Sequence, residues 1–521
     1  MTSAHTAVRT APQAMGFPRD EVWLGKDVLE LVSTAMYVDS MNMYREYIQN
    51  AADGIDEARA TSILDAGEPG RIEVHIDQSD RNIRIRDNGC GVPPDSFVGR
   101  MTALGGSVKR GTAARGFRGV GRLCGLAFAQ ELVFRSRTSG QPDISEIRWD
   151  CRQLKAALAD RAFEGDVTDL IARIVSVARL PVGDTPEHFF EVELIRVIRQ
   201  RNDKLMHPAA VGAYLSQVAP VPFSPEFKFS REIMAALTTA MPVGELDIRI
   251  NGGEPVRRPH RNELDLGPSK PVSFEEITIV EVPRMDGGIA AIAWFLHHGY
   301  EGALPIETLI KGVRLRVGNL QVGDHTILEE MFPESRFNSW SVGEVHVFDP
   351  RIIPNGRRDH FEQNTHFASL VNHLIPSARD IAHRCRTNSA RRSKLREFEL
   401  AAEEVRGRIE ILHQGGLDAA GRDAVALTAE TSLMRMEKVV ELDLLPPDVP
   451  DDRMRETIGR LRHELSTAMD DATPIPGPLG RMPAAERTMY ERMFALIYEC
   501  STNRNAAKAL IHRILMKLGA D

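Results

Sequence analysis

Residues 44–58 read YREYIQNAADGIDEA, and their spacing sets the terms for the rest of the chain. At about 100° per residue, Glu46, Asn50, Asp53 and Glu57 fall in one narrow sector of a helix, while Tyr44, Ile48, Ala51 and Ile55 gather opposite. A carboxylate, a carboxamide and a second carboxylate on one stripe allow two readings, a solvated face or the lining of a ligand site. The residues that follow decide between them.

The stretch RIEVHIDQSDRNIRIRDNG at 71–89 alternates apolar and polar residues on both sides of a polar break at 79–82. That pattern predicts a β-hairpin delivering Asp87 at a strand end. Asp87 opens DNGCGVP, where Gly89 and Gly91 flank Cys90. By itself Asp-Asn-Gly is a turn signal. Residues 105–129, GGSVKRGTAARGFRGVGRLCGLAFA, are dense in glycine and end in an apolar run predicted to be helical. Gly116, Gly119 and Gly121 precede that run, where backbone amides and a helix N-terminus can receive phosphate. The spacing is neither that of a Walker A loop nor that of a dinucleotide-binding turn.

Together, the three pieces resemble the GHKL ATPase superfamily of gyrase, the ninety-kilodalton heat-shock chaperones, histidine kinases and MutL. The family pattern E-x-x-x-N-x-x-D is met by Glu46, Asn50 and Asp53; D-x-G-x-G by Asp87, Gly89 and Gly91; and the G-x-x-G-x-G lid by Gly116, Gly119 and Gly121. The resemblance implies an α/β (α+β) fold with a GHKL (Bergerat-type) ATPase sandwich, and ATP with Mg²⁺ as cofactors. Glu46 would activate the attacking water. Asn50 would hold Mg²⁺ through its side-chain oxygen. Asp87 would accept a hydrogen bond from the adenine amino group, Gly91 would let the backbone pass close beneath the base, and Asp53 and Gly89 would belong to the same binding site. Gly116, Gly119, Val120 and Gly121 would face the phosphates. Ser107, Lys109 and Arg110 also lie in the lid, where a cation can approach the γ-phosphate or simply be solvated. A glutamate at 46 favours hydrolysis over phosphotransfer.

Farther on, residues 351–364 read RIIPNGRRDHFEQN. This resembles the heat-shock chaperone middle-domain segment that supplies an arginine to ATP. On that match Arg358 is the catalytic arginine, and Asn355, Asp359 and Asn364 meet family positions. Glu362 stands where the family has glutamine, which puts a phosphate contact there in question. The alternative is a surface salt-bridge cluster of Arg357, Arg358 and Asp359.

With 521 residues, more than one core is expected. The organisation read from the chain is a flexible arm at 1–21, an ATP-binding domain at 22–200, a chaperone-like middle domain at 201–375 and a helical module at 376–521. Strands are predicted in ELDIRING, FEEITIVEVP, GGIAAIAWFLHH, GVRLRVGNLQVG and VGEVHVFDPRII of the middle region. Beyond Pro376 strand signals vanish, and helix formers dominate 377–440, 451–470 and 483–518.

The net charge of −8 argues against a protein that coats nucleic acid over its whole surface. Five scattered cysteines without a CxxC pair speak for a reducing compartment and against structural zinc. No apolar leader and no run of about eighteen apolar residues occurs, so a cytoplasmic protein without a membrane span is expected. Adjacent His297 and His298 point to opposite faces of a strand and are assigned no metal.

Three functions compete. One is an ATP-driven clamp of the chaperone type, acting on protein clients and assembling as a homodimer. A DNA clamp of the MutL, MORC or topoisomerase kind is the second, resting on the basic run RCRTNSARRSKLR at 384–396. Nucleic acid is not favoured, because glutamates follow that run at once. The third is an ATPase sensor in a defence or stress system.

Overall fold

The computed structural model describes residues 24–31, 39–65, 67–105, 119, 121–241, 244–266, 271–414, 417, 419–441, 451–470 and 478–519. The lid residues Ser107, Lys109, Arg110, Gly116 and Val120, and the arm at 1–21, lie outside them. The chain forms two compact units that part between Arg379 and Asp380.

In the first unit, β1 (Gly70–Asp77) and β2 (Asn82–Asp87) make the expected hairpin, Val74 opposite Ile85 and Ile76 opposite Ile83. Buried and exposed residues alternate along β1, as they must when one sheet face packs inward and the other meets solvent. Asp77 Oδ1 accepts from the amides of Ser79 and Asp80 and so fixes the turn. With β3 (Glu131–Arg137), β4 (Asp143–Asp150), β5 (Val175–Pro181), β6 (Phe189–Ile195) and β7 (Leu246–Ile250), the order is β5-β4-β3-β6-β2-β1-β7. On its inner face lie α2 (Asn42–Ala60), α3 (Pro94–Thr102), α4 (Cys151–Ala159), α5 (Val167–Ile174) and α6 (Pro208–Val218), with the short α1 (Asp27–Glu30) beside them. The outer face is a charge ladder, in which Arg135 pairs with Glu146, Glu191 and Glu193 across three strands.

One strand sits elsewhere than the sequence order suggested. ELDIRING supplies β7, which the pattern assigned to the second α/β region; it pairs in parallel with β1, Ile72 opposite Ile248. The edge of β1 offers unpaired backbone groups that a returning strand satisfies, and strand periodicity cannot say which sheet will recruit it.

After α7 (Ser230–Ala240) and the small ribbon β8 (Glu263–Leu264) with β9 (Val272–Ser273) comes a second sheet. Its strands β10 (Glu276–Pro283), β11 (Ile289–His297), β12 (Gly312–Val317), β13 (Leu320–Val322) and β14 (Val342–Val347) run in the order β10-β11-β14-β12-β13. Phe223, Phe227, Ile233 and Leu237 pack on Ile292, Trp294 and Leu296 to form its core. Helix α8 (Thr365–His413) starts before Pro376 and runs through it. The proline costs about 3 kcal/mol in a helix interior, offset here by burial of Phe367, Leu370, Leu374, Ala378 and Ile381 on one stripe.

In the second unit, α8 packs with α9 (Ala419–Glu441) and α10 (Asp451–Asp470) through Val405, Ile409, Leu433, Met436 and Leu461. A smaller core joins α11 (Ala484–Cys500) and α12 (Arg504–Leu518) around Phe494 and Ile511.

Candidate nucleotide site

The polar stripe of α2 faces inward. Glu46 is 7% exposed and Asp53 5%, with Asn50 half-buried between them, so this stripe is not a solvated surface. Burying carboxylates without purpose is costly, which is why their neighbours matter. Tyr47 Oη donates to the carbonyl of Arg122 at 3.1 Å and accepts from the amide of Gly125 at 3.0 Å. It thereby pins a 3₁₀ helix, Gly121–Ala127, against the Glu46 end of α2; the apolar run predicted to be helical takes this tighter form. Gly121 is the point of closest approach. A Cβ there would stand 2.1 Å from Glu46 Oε2, so a larger residue would displace that carboxylate. Gly119 has a φ of +71°, and its carbonyl accepts from Arg122 Nη2 at 2.8 Å.

At the other end of the stripe, Asp87 is buried where β2 ends. Its Oδ1 accepts from the Gly89 amide at 2.9 Å, and the Cys90 amide donates to the carbonyl of Gly54 on α2 at 3.3 Å. A Cβ on Gly89 would come within 2.7 Å of both Asp87 Oδ1 and the Gly54 backbone. Gly91 holds φ at +70°, its Cα within a Cβ's reach of the Arg137 carbonyl. His188 Nδ1 bonds the Gly89 carbonyl at 2.9 Å and steadies the same loop. From Glu46 to Gly54 the helix rises roughly 12 Å, the scale of a nucleoside triphosphate laid from γ-phosphate to base.

Sequence reasoning missed several residues here. Phe190 is directly across from Asp87 in the β2–β6 register and only half-buried, and like Cys90 and Val92 it packs against the core beneath the sheet. No polar signal marked it. Cys90 and Cys124 are poor nucleophiles: burial, with Glu57 and Asp87 adding to it, pushes the Cys90 thiol up to about 11, and burial beside Glu46 pushes Cys124 well up.

The second sheet enters the site through the loop after β14. Asn355 organises it, its amide donating to the His360 carbonyl at 2.9 Å and its Nδ2 to Asp359 Oδ1 at 2.6 Å. Asn364 closes it, bonding the Arg351 carbonyl and accepting from the Phe367 amide as α8 begins. Arg358 sits at φ +56°, a left-handed backbone that costs on the order of 1 kcal/mol for a residue with a side chain. Its Nε lies 3.9 Å from Glu46 Oε1. Arg45, which the helical-face argument passed over, holds this loop in place. Its Nη1 and Nη2 donate to the carbonyls of Arg358 and Arg357 at 3.2 and 3.1 Å, and its Nη2 lies 3.6 Å from Glu46 Oε1. Glu362 is exposed, and its amide bonds the Ile353 carbonyl.

Among the described residues, no group of three or more His, Cys, Asp or Glu side chains could hold a metal ion. The donor set does suit Mg²⁺ brought with phosphates, since Asn50 presents one hard oxygen on the inward stripe and such a cation takes its other ligands from phosphate and water.

Residues 41–164 match the family described as histidine kinase-, DNA gyrase B- and HSP90-like ATPase. Over that stretch the chain is similar to the GHKL ATPases. It is 28% identical over 166 residues to chaperone protein HtpG of Burkholderia ambifaria and to that of Burkholderia cenocepacia, and 30% identical over 142 residues to HtpG of Paraburkholderia xenovorans. These matches cover 28%, 28% and 24% of this chain and 25%, 25% and 22% of the relatives, so the chain spans about a quarter of the length of the relatives it matches. Both the GHKL sandwich and the helical C-terminal region agree with the architecture expected from sequence. No helix of the described residues is long and apolar enough to cross a membrane.

Proposed function

We propose that this GHKL protein is an Mg²⁺-dependent ATPase whose hydrolysis drives a clamp cycle of the heat-shock chaperone type. The observation that carries the reading is the meeting of Glu46 with Arg358, residues far apart in sequence and on different sheets' elements, at 3.9 Å. Glu46 orients and deprotonates the attacking water. Arg358 neutralises charge developing on the γ-phosphate, so hydrolysis depends on the second sheet being docked. Asp87 selects the base through its amino group, with Asp53, Gly89 and Gly91 shaping that end, and Gly119 and Gly121 admit the phosphates. Asn50 would hold Mg²⁺, which supplies charge neutralisation on the phosphate oxygens when bound.

Protein clients or partners, a cytoplasmic location and association of two copies through the helical unit belong to the same reading. Exposed Leu427, Met489, Leu496 and Met516 on that unit support the last of these. The basic run at 384–396 gives a DNA clamp little support, since Arg384 pairs with Asp380 and Lys394 with Glu397. The test is ATP turnover with and without duplex DNA, against Glu46→Ala. Turnover abolished by the substitution and indifferent to DNA is expected. Stimulation severalfold by DNA moves the protein to the DNA-clamp class, and turnover that survives Glu46→Ala removes the hydrolytic role of Glu46.

A further inference from the structure

Beneath the second sheet lies a charged cluster with no access to solvent. Arg258, Arg314 and Arg316 are 2%, 5% and 1% exposed, and Glu344 is fully buried beside them. Arg316 Nε meets Glu344 Oε1 at 2.7 Å, and Arg258 Nη1 meets Oε2 at 2.5 Å. Glu344 pairs with two of the three guanidiniums, and while some donors go to Lys311, Asn319 and Gln321 on the sheet's own side, each arginine also reaches one short segment. Arg316 donates to the carbonyls of Gln217 and Ala219, Arg258 Nε to the carbonyl of Val221 at 3.0 Å, and Arg314 Nη1 to Gln217 Oε1 at 3.0 Å. These acceptors are the end of α6 and the turn that leaves it, where carbonyls lack helical partners and the helix dipole favours cations.

Helix α6 is bonded in turn to the helix that carries Glu46. Tyr214 Oη on α6 donates to Asn42 Oδ1 at the start of α2 at 3.1 Å, and Tyr44 Oη donates to the carbonyl of Leu205 just before α6 at 2.7 Å. On the other side, Arg314 and Arg316 lie on β12, which continues into β13. Gly323, directly after β13, donates its amide to the carbonyl of Arg358 at 2.9 Å. That same carbonyl accepts from Arg45 Nη1. The path therefore closes on itself, from Glu46 along α2 to α6, through the arginines to β12 and β13, and from Gly323 to Arg358.

Apolar side chains would fill this space with equal or better stability, since buried ion pairs rarely outweigh their desolvation. What guanidinium forks add is direction, because each fixes carbonyls at set angles and distances. We propose that Arg316, with Arg258 and Arg314, is a positioning residue for hydrolysis: the cluster sets the separation of Glu46 and Arg358 by locking α6 to the sheet on which the Arg358 loop hangs. This rests on the reading of Arg358 as the arginine that acts on the γ-phosphate.

The test is a double-mutant cycle in the full chain. Arg316→Met keeps length and removes the fork; Arg316→Lys keeps the charge. Turnover is compared with the affinity for a non-hydrolysable ATP analogue by calorimetry, with thermal unfolding as a check on folding. Loss of alignment by a fraction of an ångström predicts that kcat falls about tenfold in Arg316→Met, with analogue affinity within twofold and partial recovery in Arg316→Lys. In an Arg358→Ala background the same substitution is expected to cost less than twofold, because nothing remains to be aligned. A wild-type kcat in folded Arg316→Met, or an equal loss with and without Arg358, overturns the inference. Should Arg316→Met fail to fold, Gln217→Ala at the half-buried end of α6 decides by the same two criteria. If Arg358→Ala alone leaves turnover unchanged, the catalytic reading of Arg358 fails and takes this role with it; a slow Arg358→Ala beside an inert Arg316→Met sinks the positioning role alone.

Discussion

Gly121→Ala tests the site with a single methyl group. The added Cβ would stand 2.1 Å from Glu46 Oε2 and 3.1 Å from its Cδ, where ordinary contact begins at 3.4 Å. The carboxylate must therefore move by about 1 Å, and it has little room, being 7% exposed with Arg45 at 3.6 Å and Arg358 at 3.9 Å. A misplacement of about 1 Å at a reacting group costs roughly 100-fold in rate, equivalent to about 2.7 kcal/mol of barrier. The strain on folding is smaller, because the atom displaced is the end of a side chain, and about 1–2 kcal/mol of stability is expected to be lost. Steady-state ATP turnover should fall near the level of Glu46→Ala, while calorimetric affinity for a non-hydrolysable analogue stays within severalfold. Gly99→Ala in α3 is the matched control, since a Cβ there meets nothing within 4 Å. It should leave turnover intact and raise stability by about 0.5–1 kcal/mol. A kcat in Gly121→Ala within threefold of wild type refutes the placement of Glu46 as the base.

At the base end, Gly91→Ala puts a Cβ 2.2 Å from the Arg137 carbonyl oxygen at a φ of +70°, and here the obstacle is backbone. Analogue binding should be lost and the unfolding midpoint should drop by several degrees, read by calorimetry and thermal melts; unchanged binding would remove Gly91 from the base pocket. Phe190→Ala should weaken nucleotide affinity about tenfold with kcat unchanged, the mark of uniform binding, and an unchanged KM would show that the ring does not wall the slot. Stability should also depend on pH through two histidines of the buried cluster. Burial holds His260 down to about 3 and His346 to about 4, with the neighbouring arginines assisting and Glu344 opposing. Both pKa values are depressed below the ordinary 6.5, so the unfolded chain takes up protons that the fold refuses. Their contribution is complete above about pH 6.5 and is lost as pH falls toward about 4, at up to about 1.4 kcal/mol per pH unit for each. Urea unfolding should show a loss of roughly 4 kcal/mol between pH 7 and pH 5, and a flat profile over that range would contradict the burial of neutral imidazoles.

Helical periodicity made the stripe of Glu46, Asn50 and Asp53 legible, and strand alternation made the hairpin ending in Asp87 legible, because each signal is local. What lay between sheets was not. Arg314 and Arg316 alternate with apolar residues in GVRLRVGN as solvent-facing side chains do, yet α6 covers that face and buries them. Periodicity assumes that polar means outside, and it fails where polar groups are paid with partners from elsewhere in the chain. The sheet chosen by β7 and the continuation of α8 through Pro376 are tertiary outcomes of the same kind. Arg45 was hidden by its place in sequence, one residue from Glu46 and off the stripe, although its guanidinium reaches the loop of Arg358.

That placement of Arg45 bears on how Glu46 can work as a base. A carboxylate clamped bidentately by a guanidinium would have its oxygens committed to the ion pair, leaving them poorly able to accept a proton from water. Here both Nη atoms of Arg45 are taken by the carbonyls of Arg357 and Arg358, and its distance to Glu46 stays at 3.6 Å. Arg358 approaches the same oxygen no closer than 3.9 Å. Both cations lie within Coulombic range of the carboxylate but beyond hydrogen-bond length. On the proposed reading, Glu46 would thus be held in orientation by charge with its oxygens able to receive a water, and the backbone of Arg358 is held by the residue next to it. On the proposed clamp reading, a motion that drew the second sheet away would loosen Arg45 from its carbonyl partners and let its fork close on Glu46. Undocking would then do more than remove Arg358 from the γ-phosphate: it would occupy the base as well, and hydrolysis would stop for two reasons at once.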